Sequence, residues 1–160
     1  MGATQPEDTR TAAHGIGTTR RVVDIAGQER LSTPTSLSRW SAAVAASYDP
    51  CFILDSDGVL VSISLSALEL IGYPDAAVIG RHVLEVVHLV DLETAAPRPE
   101  YAPRIPPLVV LDGPGLARSL MRVRHEDDAI VTLDTSSAPI HDASGQLVGS
   151  VTFIAPIPAR

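Results

Sequence analysis

Histidine and acidic side chains are the groups in this sequence that could hold a metal ion. Glu85 and His88 lie three residues apart in a segment with helical spacing, and Asp91 follows them. A carboxylate and an imidazole at this spacing share one face of a helix. Because there is no second cluster of ligands, a solvated helix surface explains them better, and we expect no metal site. Asp91 is predicted to cap the next segment.

Other catalytic patterns are missing from the sequence. All twelve cationic residues are arginine, which excludes a Schiff-base lysine and a P-loop lysine. The single Cys51 excludes an internal disulfide and a thiolate-only zinc site, and it is predicted to be a small buried hydrophobic residue. No Gly-x-Ser-x-Gly elbow is present, and Gly113-Pro114-Gly115 lacks the third glycine of a dinucleotide fingerprint. We therefore expect a protein without enzyme activity.

Length and composition predict one globular domain with a tail. The chain has 160 residues, of which 45% are hydrophobic and 19% are charged. Only 4% are aromatic, so the core must be aliphatic. A net charge of −7 without a basic stripe argues against direct nucleic-acid binding. The absence of a long apolar run and of a signal peptide predicts a cytoplasmic protein that does not span a membrane.

The N-terminal part of the chain differs from the rest. Residues 1–33 carry almost no periodic apolar signal and are predicted to be a disordered tail, within which Arg20–Ile25 could form a short strand or a helical turn. A short cap helix is predicted within residues 34–48, with Ser36 or Ser38 as its capping residue. Its apolar stripe is a candidate interface and consists of Leu37, Trp40 and Val44.

The main domain is predicted over residues 49–155, followed by a short tail at 156–160. Changes in apolar period place strands in two antiparallel groups around a helical insert, at 51–54, 59–63, 118–124, 130–137 and 147–154. The insert contains three short helical segments within residues 64–87, and a proline-rich irregular stretch follows from Leu89 to Leu116. This order predicts an α+β fold.

The ordered set of these segments resembles a PAS domain. The resemblance runs from about Ala45 to Ile154 and rests on Ile53–Val61, Ala67–Tyr73, Val78–Arg81, His88–Asp91 and the closing strands with their turn at Asp142–Gly145. It implies a five-stranded antiparallel sheet with short helices over one face, and an N-terminal helix or a second subunit over the other. The sequence departs from the family at Ser64, where Asn is usual, and at Glu126-Asp127-Asp128, where the family's turn usually contains Gly.

The cofactors that some members of the family carry are not expected here. Haem would need an axial ligand from the helix over the sheet, and no histidine lies between Leu89 and Arg124. A flavin photosensor would need an Asn-Cys-Arg-Phe signature, and a cinnamoyl-type photoreceptor would need a cysteine in the later connection. Neither is present, since the single Cys51 lies at the start of the first strand of the domain.

The resemblance implies a sensory or interaction module for signal transduction. The space between helices and sheet could be a filled core or a cavity for a small apolar ligand. The candidate lining residues are Leu54, Val61, Ile63, Leu68, Ile71, Val78, Ile79, Val83, Val87, Met121, Val123, Val131, Leu133, Thr135, Ser150 and Thr152. We expect a homodimer, with a signalling protein as a further partner in trans. The alternatives are a scaffold or dimerisation module with a filled core, a haem sensor, or a small enzyme using the same cavity.

Overall fold

A computed structural model describes residues 21–23, 29–31, 35–125 and 127–158. The chain divides into two units, residues 1–34 and residues 35–160. In the first unit, β1 (Arg21–Val23) pairs antiparallel with β2 (Glu29–Leu31). Strand β1 falls within Arg20–Ile25, a segment that the sequence predicted to be either a short strand or a helical turn. The remainder of the predicted disordered tail lies outside the described residues, and its disorder stays a prediction.

The cap helix is α1 (Ser36–Ala45). Its N-cap is Thr35, whose hydroxyl oxygen accepts a hydrogen bond from the backbone N–H of Ser38 at 3.2 Å. The prediction of Ser36 or Ser38 as the cap was therefore wrong, because the helix already begins at Ser36 and the residue before it takes the capping position. The Ser38 hydroxyl instead donates to the Thr35 carbonyl oxygen at 2.8 Å.

The second unit is built on a six-stranded antiparallel sheet in the order β4-β3-β8-β7-β6-β5. Its strands are β3 (Cys51–Asp55), β4 (Leu60–Ile63), β5 (His88–Leu89), β6 (Ala117–Arg124), β7 (Ile130–His141) and β8 (Leu147–Ile157). The expected five strands become six because the two-residue β5 pairs with β6 at the sheet edge. A pair of residues carries no detectable period, so the sequence could not indicate it.

Short helices connect the two groups of strands. They are α2 (Leu65–Ile71), a 3₁₀ turn (Ala76–Val78), α3 (Val83–Val86), a 3₁₀ segment (Pro99–Arg104) and α4 (Pro106–Asp112). Helix α2 is capped at its C-terminus by Gly72, whose φ of 84° lies in the left-handed region that favours glycine. Helix α4 lies inside the stretch predicted to be irregular. It forms because its two prolines occupy the first turn, where the missing N–H groups need no partner.

The two faces of the sheet belong to different hydrophobic clusters. On the inner face, aliphatic side chains of the strands pack against α2, α3 and the segment before α4. On the outer face, Val44 of α1 packs with Cys51, Ile53, Ile140 and Val151, with Leu37 partly buried at its edge. Helix α1 therefore covers the outer face of its own sheet, and Cys51 is buried as predicted.

Candidate ligand pocket beside strand β6

Most of the predicted cavity-lining residues form one packed core on the inner face. The buried members are Leu54, Ile63, Leu68, Ile71, Val78, Val83, Val87, Met121, Val123 and Leu133, and Val131 packs against them. The other buried members of the same cluster are Phe52, Leu60, Ala67, Val86, Ile105 and Ile154. The sequence thus identified side chains that come together, but these side chains mainly contact each other.

Two of the predicted lining residues lie elsewhere. Val61 packs with the outer-face cluster, because a β-bulge between Ile53 and Leu54 shifts the β3-β4 register and turns Val61 to the other face. Ile79 is 46% exposed, since the 3₁₀ turn ends at Val78 and only Val78 points inward. The prediction that both residues face the inner space was wrong.

A pocket of about 430 Å³ opens beside β6, at the edge of the inner core. Its apolar wall includes Leu89, Val90, Ile105 and Met121, and Ser119 contributes a hydroxyl. Ile105 and Met121 are also members of the packed core. Because these two side chains contact both the pocket and the core, a molecule bound in the pocket would act directly on the packing of the domain.

Two of the charged side chains that line this pocket, Asp91 and Arg122, are already engaged by the protein. The Arg122 guanidinium donates to the Leu92 carbonyl oxygen at 3.0 Å. One Asp91 carboxylate oxygen accepts from the backbone N–H groups of Thr94 and Glu93, at 2.8 and 2.9 Å, and Arg98 lies 3.0 Å from the other. The pKa of Asp91 is lowered to about 2 by these two N–H donors, by the Thr94 hydroxyl and by the Arg98 charge. The carboxylate has the capping role that the sequence predicted.

A second, more open pocket of about 580 Å³ lies next to β5 and shares Leu89 and Val90 with the first. Apolar side chains of α3 and of the proline-rich segment line it, together with His88 and Arg124. His88 is exposed at this edge, as the sequence predicted.

The pair of Glu85 and His88, considered above as metal ligands, has no third metal ligand beside it among the described residues. Among the described residues, no group of three or more histidine, cysteine, aspartate or glutamate side chains is placed to hold a metal ion.

Buried hydroxyls occupy the part of the inner face beneath α4. The Ser137 and Thr152 hydroxyl oxygens lie 2.8 Å apart, and Ser150 donates to the Pro107 carbonyl oxygen at 3.1 Å. Thr135 is also completely buried. The sequence predicted Thr135, Ser150 and Thr152 as polar points in this space but missed Ser137. The alternation of Leu133, Thr135 and Ser137 along β7 is the signal that would have found it.

Cys51 and two of the histidines lie away from the pocket beside β6. Cys51 lies on the outer face of the sheet, on the opposite side from the inner space and its pocket. The His82 ring accepts from the backbone N–H of Leu84, and the His125 ring is hydrogen-bonded to the Leu70 carbonyl oxygen at 2.8 Å. None of these side chains lines the pocket beside β6. Cys51, His82 and His125 therefore supply neither a haem ligand nor an adduct cysteine for a flavin in the pocket beside β6.

Comparison with known proteins gives the class of the domain. A family model described as the PAS fold matches residues 44–160, so the chain belongs to the PAS fold family. PAS domains are generally sensory and signalling modules rather than enzymes. No curated protein matches the sequence. In the part of the chain that the structure describes, no helix is long and apolar enough to cross a membrane.

Solved structures share this fold at low sequence identity. A PAS domain from Colwellia psychrerythraea is 20% identical, with a TM-score of 0.57 over 76% of this chain and 96% of that chain. VqmA from Vibrio cholerae is 20% identical, with a TM-score of 0.56 over 76% of this chain and 51% of that chain. A light-oxygen-voltage domain studied with a flavin analogue is 18% identical, with a TM-score of 0.57 over 75% of this chain and 85% of that chain. These similarities extend to the fold alone.

Proposed function

We propose that this PAS domain is a sensory module that binds a small apolar ligand in the pocket beside β6 and associates with a second copy of itself. The pocket is the observation that carries the proposal. It has room for a small organic molecule, and its wall combines Leu89, Val90, Ile105 and Met121 with a single hydroxyl on Ser119. Apolar walls with few polar groups are typical of small-molecule sites.

The position of the pocket connects binding to the rest of the domain. Met121 lies on β6, which pairs with β7 along its whole length, and β7 pairs in turn with β8. Ile105 directly precedes α4, which lies over the inner face of these strands. A ligand that moves Met121 or Ile105 would therefore change the packing of both the sheet and α4. The proposal also draws support from a second VqmA structure, which has been solved bound to DPO and is 21% identical to this chain.

The proposed ligand site can be tested with N-phenyl-1-naphthylamine, a neutral apolar dye that fluoresces when it leaves water. We expect saturable binding of one dye per domain to the wild-type protein. Ser119→Trp should abolish it, because the exposed Ser119 lines the pocket and an indole there would fill it. Ala143→Trp, in the exposed β7-β8 turn, is the matched control and should bind the dye normally. Equal dye binding by both variants would contradict the proposal.

A scaffold module with a filled core is the second candidate function. The continuous packing of Leu54, Val83, Met121 and Leu133 on the inner face favours it. In that case the wild-type protein would bind no dye. An absorption spectrum and a denaturing mass spectrum of the purified protein add an independent test. We expect a colourless protein, and a haem or flavin spectrum at stoichiometric level would contradict the assignment of an apolar ligand.

The uncovered part of the outer face is the proposed dimer surface. Leu120 on β6 and both Phe153 and Ile157 on β8 point outward there, on either side of β7, and are between 43% and 51% exposed. Arg118 and Asp134 lie between them and form a bidentate ion pair, with the Arg118 Nε–Asp134 Oδ1 distance at 2.9 Å. A surface that carries both charges and apolar side chains can pair with its own copy about a two-fold axis. VqmA and the photoreceptor Vivid have both been solved as dimers.

A further inference from the structure

Thr135 is the one buried hydroxyl in the described part of the chain that lacks a hydrogen-bond partner. Its Oγ1 atom is inaccessible to solvent and contacts no donor or acceptor among the described residues. The other buried hydroxyls are hydrogen-bonded. For example, Ser137 pairs with Thr152, and Ser150 donates to the Pro107 carbonyl oxygen. A buried unpaired hydroxyl opposes folding, so its presence calls for an explanation such as a bound group.

The position of Thr135 links it to the ligand pocket. Thr135 is the direct cross-strand partner of Ser119, and both side chains lie on the inner face of the sheet. Ser119 lines the pocket beside β6, whereas Thr135 lies one strand further in. Met121, two residues along β6 from Ser119, lies on the same face and lines the same pocket. Its unbranched side chain has three rotatable bonds and can move aside at low cost.

We infer that the pocket beside β6 takes an uncharged ligand with an apolar body and one hydrogen-bonding group, and that this group pairs with the Thr135 hydroxyl. The inference rests on the proposed function of the pocket and specifies the chemistry of its ligand. A ketone, an alcohol or an amide would fit, because a threonine hydroxyl can either donate or accept. The apolar body of the ligand would lie against Leu89, Val90 and Ile105.

The surroundings of Thr135 exclude a charged ligand group. All buried polar residues among those described are serine or threonine, so no buried counter-ion is available to this hydroxyl's surroundings. An ion placed there would lose its hydration without compensation. At the pocket rim, Asp91 is paired with Arg98 and Arg122 donates to backbone carbonyls. Glu93 and Arg104 also line the pocket, but both residues are exposed and so lie outside the buried surroundings of Thr135.

Three probes of similar size distinguish a neutral hydrogen-bonding ligand from a purely apolar one and from a charged one. Each probe is tested for its ability to displace bound N-phenyl-1-naphthylamine. Acetophenone carries a neutral hydrogen-bond acceptor, ethylbenzene lacks it, and benzoate is charged. In Thr135→Val, which keeps the side-chain shape but removes the hydroxyl, we expect acetophenone to bind about fivefold more weakly, the effect of one net hydrogen bond. Ethylbenzene should bind equally well or more tightly. Thr132→Val, three residues away on the outer face of the same strand, is the matched control and should change neither affinity.

The possible outcomes distinguish this inference from the proposed function. If Thr135→Val weakens acetophenone and ethylbenzene equally, or changes neither, the role of the Thr135 hydroxyl is refuted while the pocket stands. Displacement by benzoate as strong as that by acetophenone refutes an uncharged ligand. If the dye binds but neither neutral probe displaces it, the assigned ligand class is wrong. If the dye itself does not bind to the wild-type protein, the proposed function fails and the inference fails with it. The thermal unfolding curves of both variants establish that they fold.

Discussion

The Ser64 hydroxyl oxygen accepts a hydrogen bond from the backbone N–H of Cys51 at 3.0 Å. The same oxygen accepts from the backbone N–H of Ala67 at 3.2 Å, as the N-cap of α2. One buried side chain thus joins the start of β3 to the start of α2. At this position the PAS pattern usually has Asn, whose side-chain oxygen is an equally good capping acceptor. The departure from the family therefore preserves the chemistry of the position.

Ser64→Ala should destabilise the domain. It removes a helix cap and leaves the buried Cys51 N–H without a partner, for an expected loss of about 2 kcal/mol in the free energy of unfolding. Ser64→Asn should lose less, because its oxygen can serve the same two donors. The control is Ser66→Ala, whose half-buried hydroxyl donates to the Tyr48 carbonyl oxygen at 2.9 Å and lies 3.2 Å from the Ser64 hydroxyl oxygen. Urea unfolding measures the free energy of unfolding of each variant. Equal losses for Ser64→Ala and Ser66→Ala would contradict the role of Ser64 as a helix cap and buried acceptor.

The sequence predicted the order of the elements because strands and helices impose different apolar periods. The alternation of Met121 and Val123 placed β6 to within one residue, and that of Val131 and Leu133 placed the first part of β7, which continues to His141, past the predicted end at 137. The period could not reveal the bulge that turns Val61 outward, since a bulge depends on the pairing of two distant strands. It also could not reveal α4, whose prolines normally interrupt helices.

The ligand pocket was harder to predict than the core. Its wall draws on residues 89–93 and 104–105, which lie in the stretch without apolar period, as well as on β6. Local sequence does not determine how such a stretch crosses the sheet. Hydrophobicity and alternation identify which side chains are buried, but they do not show where packing leaves a space. Of the predicted lining residues, only Met121 contributes to this pocket.

Val78 and Ile79 form a matched pair for the assigned orientation of the 3₁₀ turn. Val78 is completely buried in the inner core, whereas Ile79 is 46% exposed. Val78→Ala should therefore reduce the free energy of unfolding by about 2 kcal/mol, through lost burial and an unfilled space. Ile79→Ala should change it by less than about 0.5 kcal/mol. Chemical denaturation measures both, and a larger loss for Ile79→Ala would mean that the turn is rotated.

The Asp91 carboxylate should make stability dependent on pH in the acid range. Its pKa is about 2 in the folded protein, below the ordinary value of 3.8, because backbone N–H groups of Thr94 and Glu93 stabilise the ionised form. The stabilisation is complete above about pH 4 and is lost as the pH falls towards 2.

Asp91→Asn should thus be less stable than the wild-type protein at pH 7, and the difference should shrink between pH 4 and pH 2. Thermal unfolding across this range provides the measurement. Asp112→Asn removes a carboxylate at the exposed end of α4 and controls for the change in net charge. A difference between wild type and Asp91→Asn that stays constant with pH would show that the turn does not depend on the ionised carboxylate.

Trp40 and Phe153 should both contribute to the proposed dimer. The stripe predicted from the sequence divides in the structure, because Val44 and Leu37 pack on the outer sheet face while Trp40 stays 44% exposed. Phe153 is 45% exposed on the part of that face that α1 leaves uncovered. Large aromatic side chains at such positions commonly dominate the energetics of an interface.

Trp40→Glu and Phe153→Glu should each convert the dimer to a monomer, because a charge buried in the contact costs about 2–4 kcal/mol. Leu65→Glu is the control, since Leu65 is 66% exposed on α2, which packs over the inner face. Sedimentation velocity at tens of micromolar should give a dimer for the wild type and for Leu65→Glu. A monomeric wild-type protein would mean that α1 serves only to cover its own sheet. A dimer that persists in both glutamate variants would instead move the interface away from the outer face.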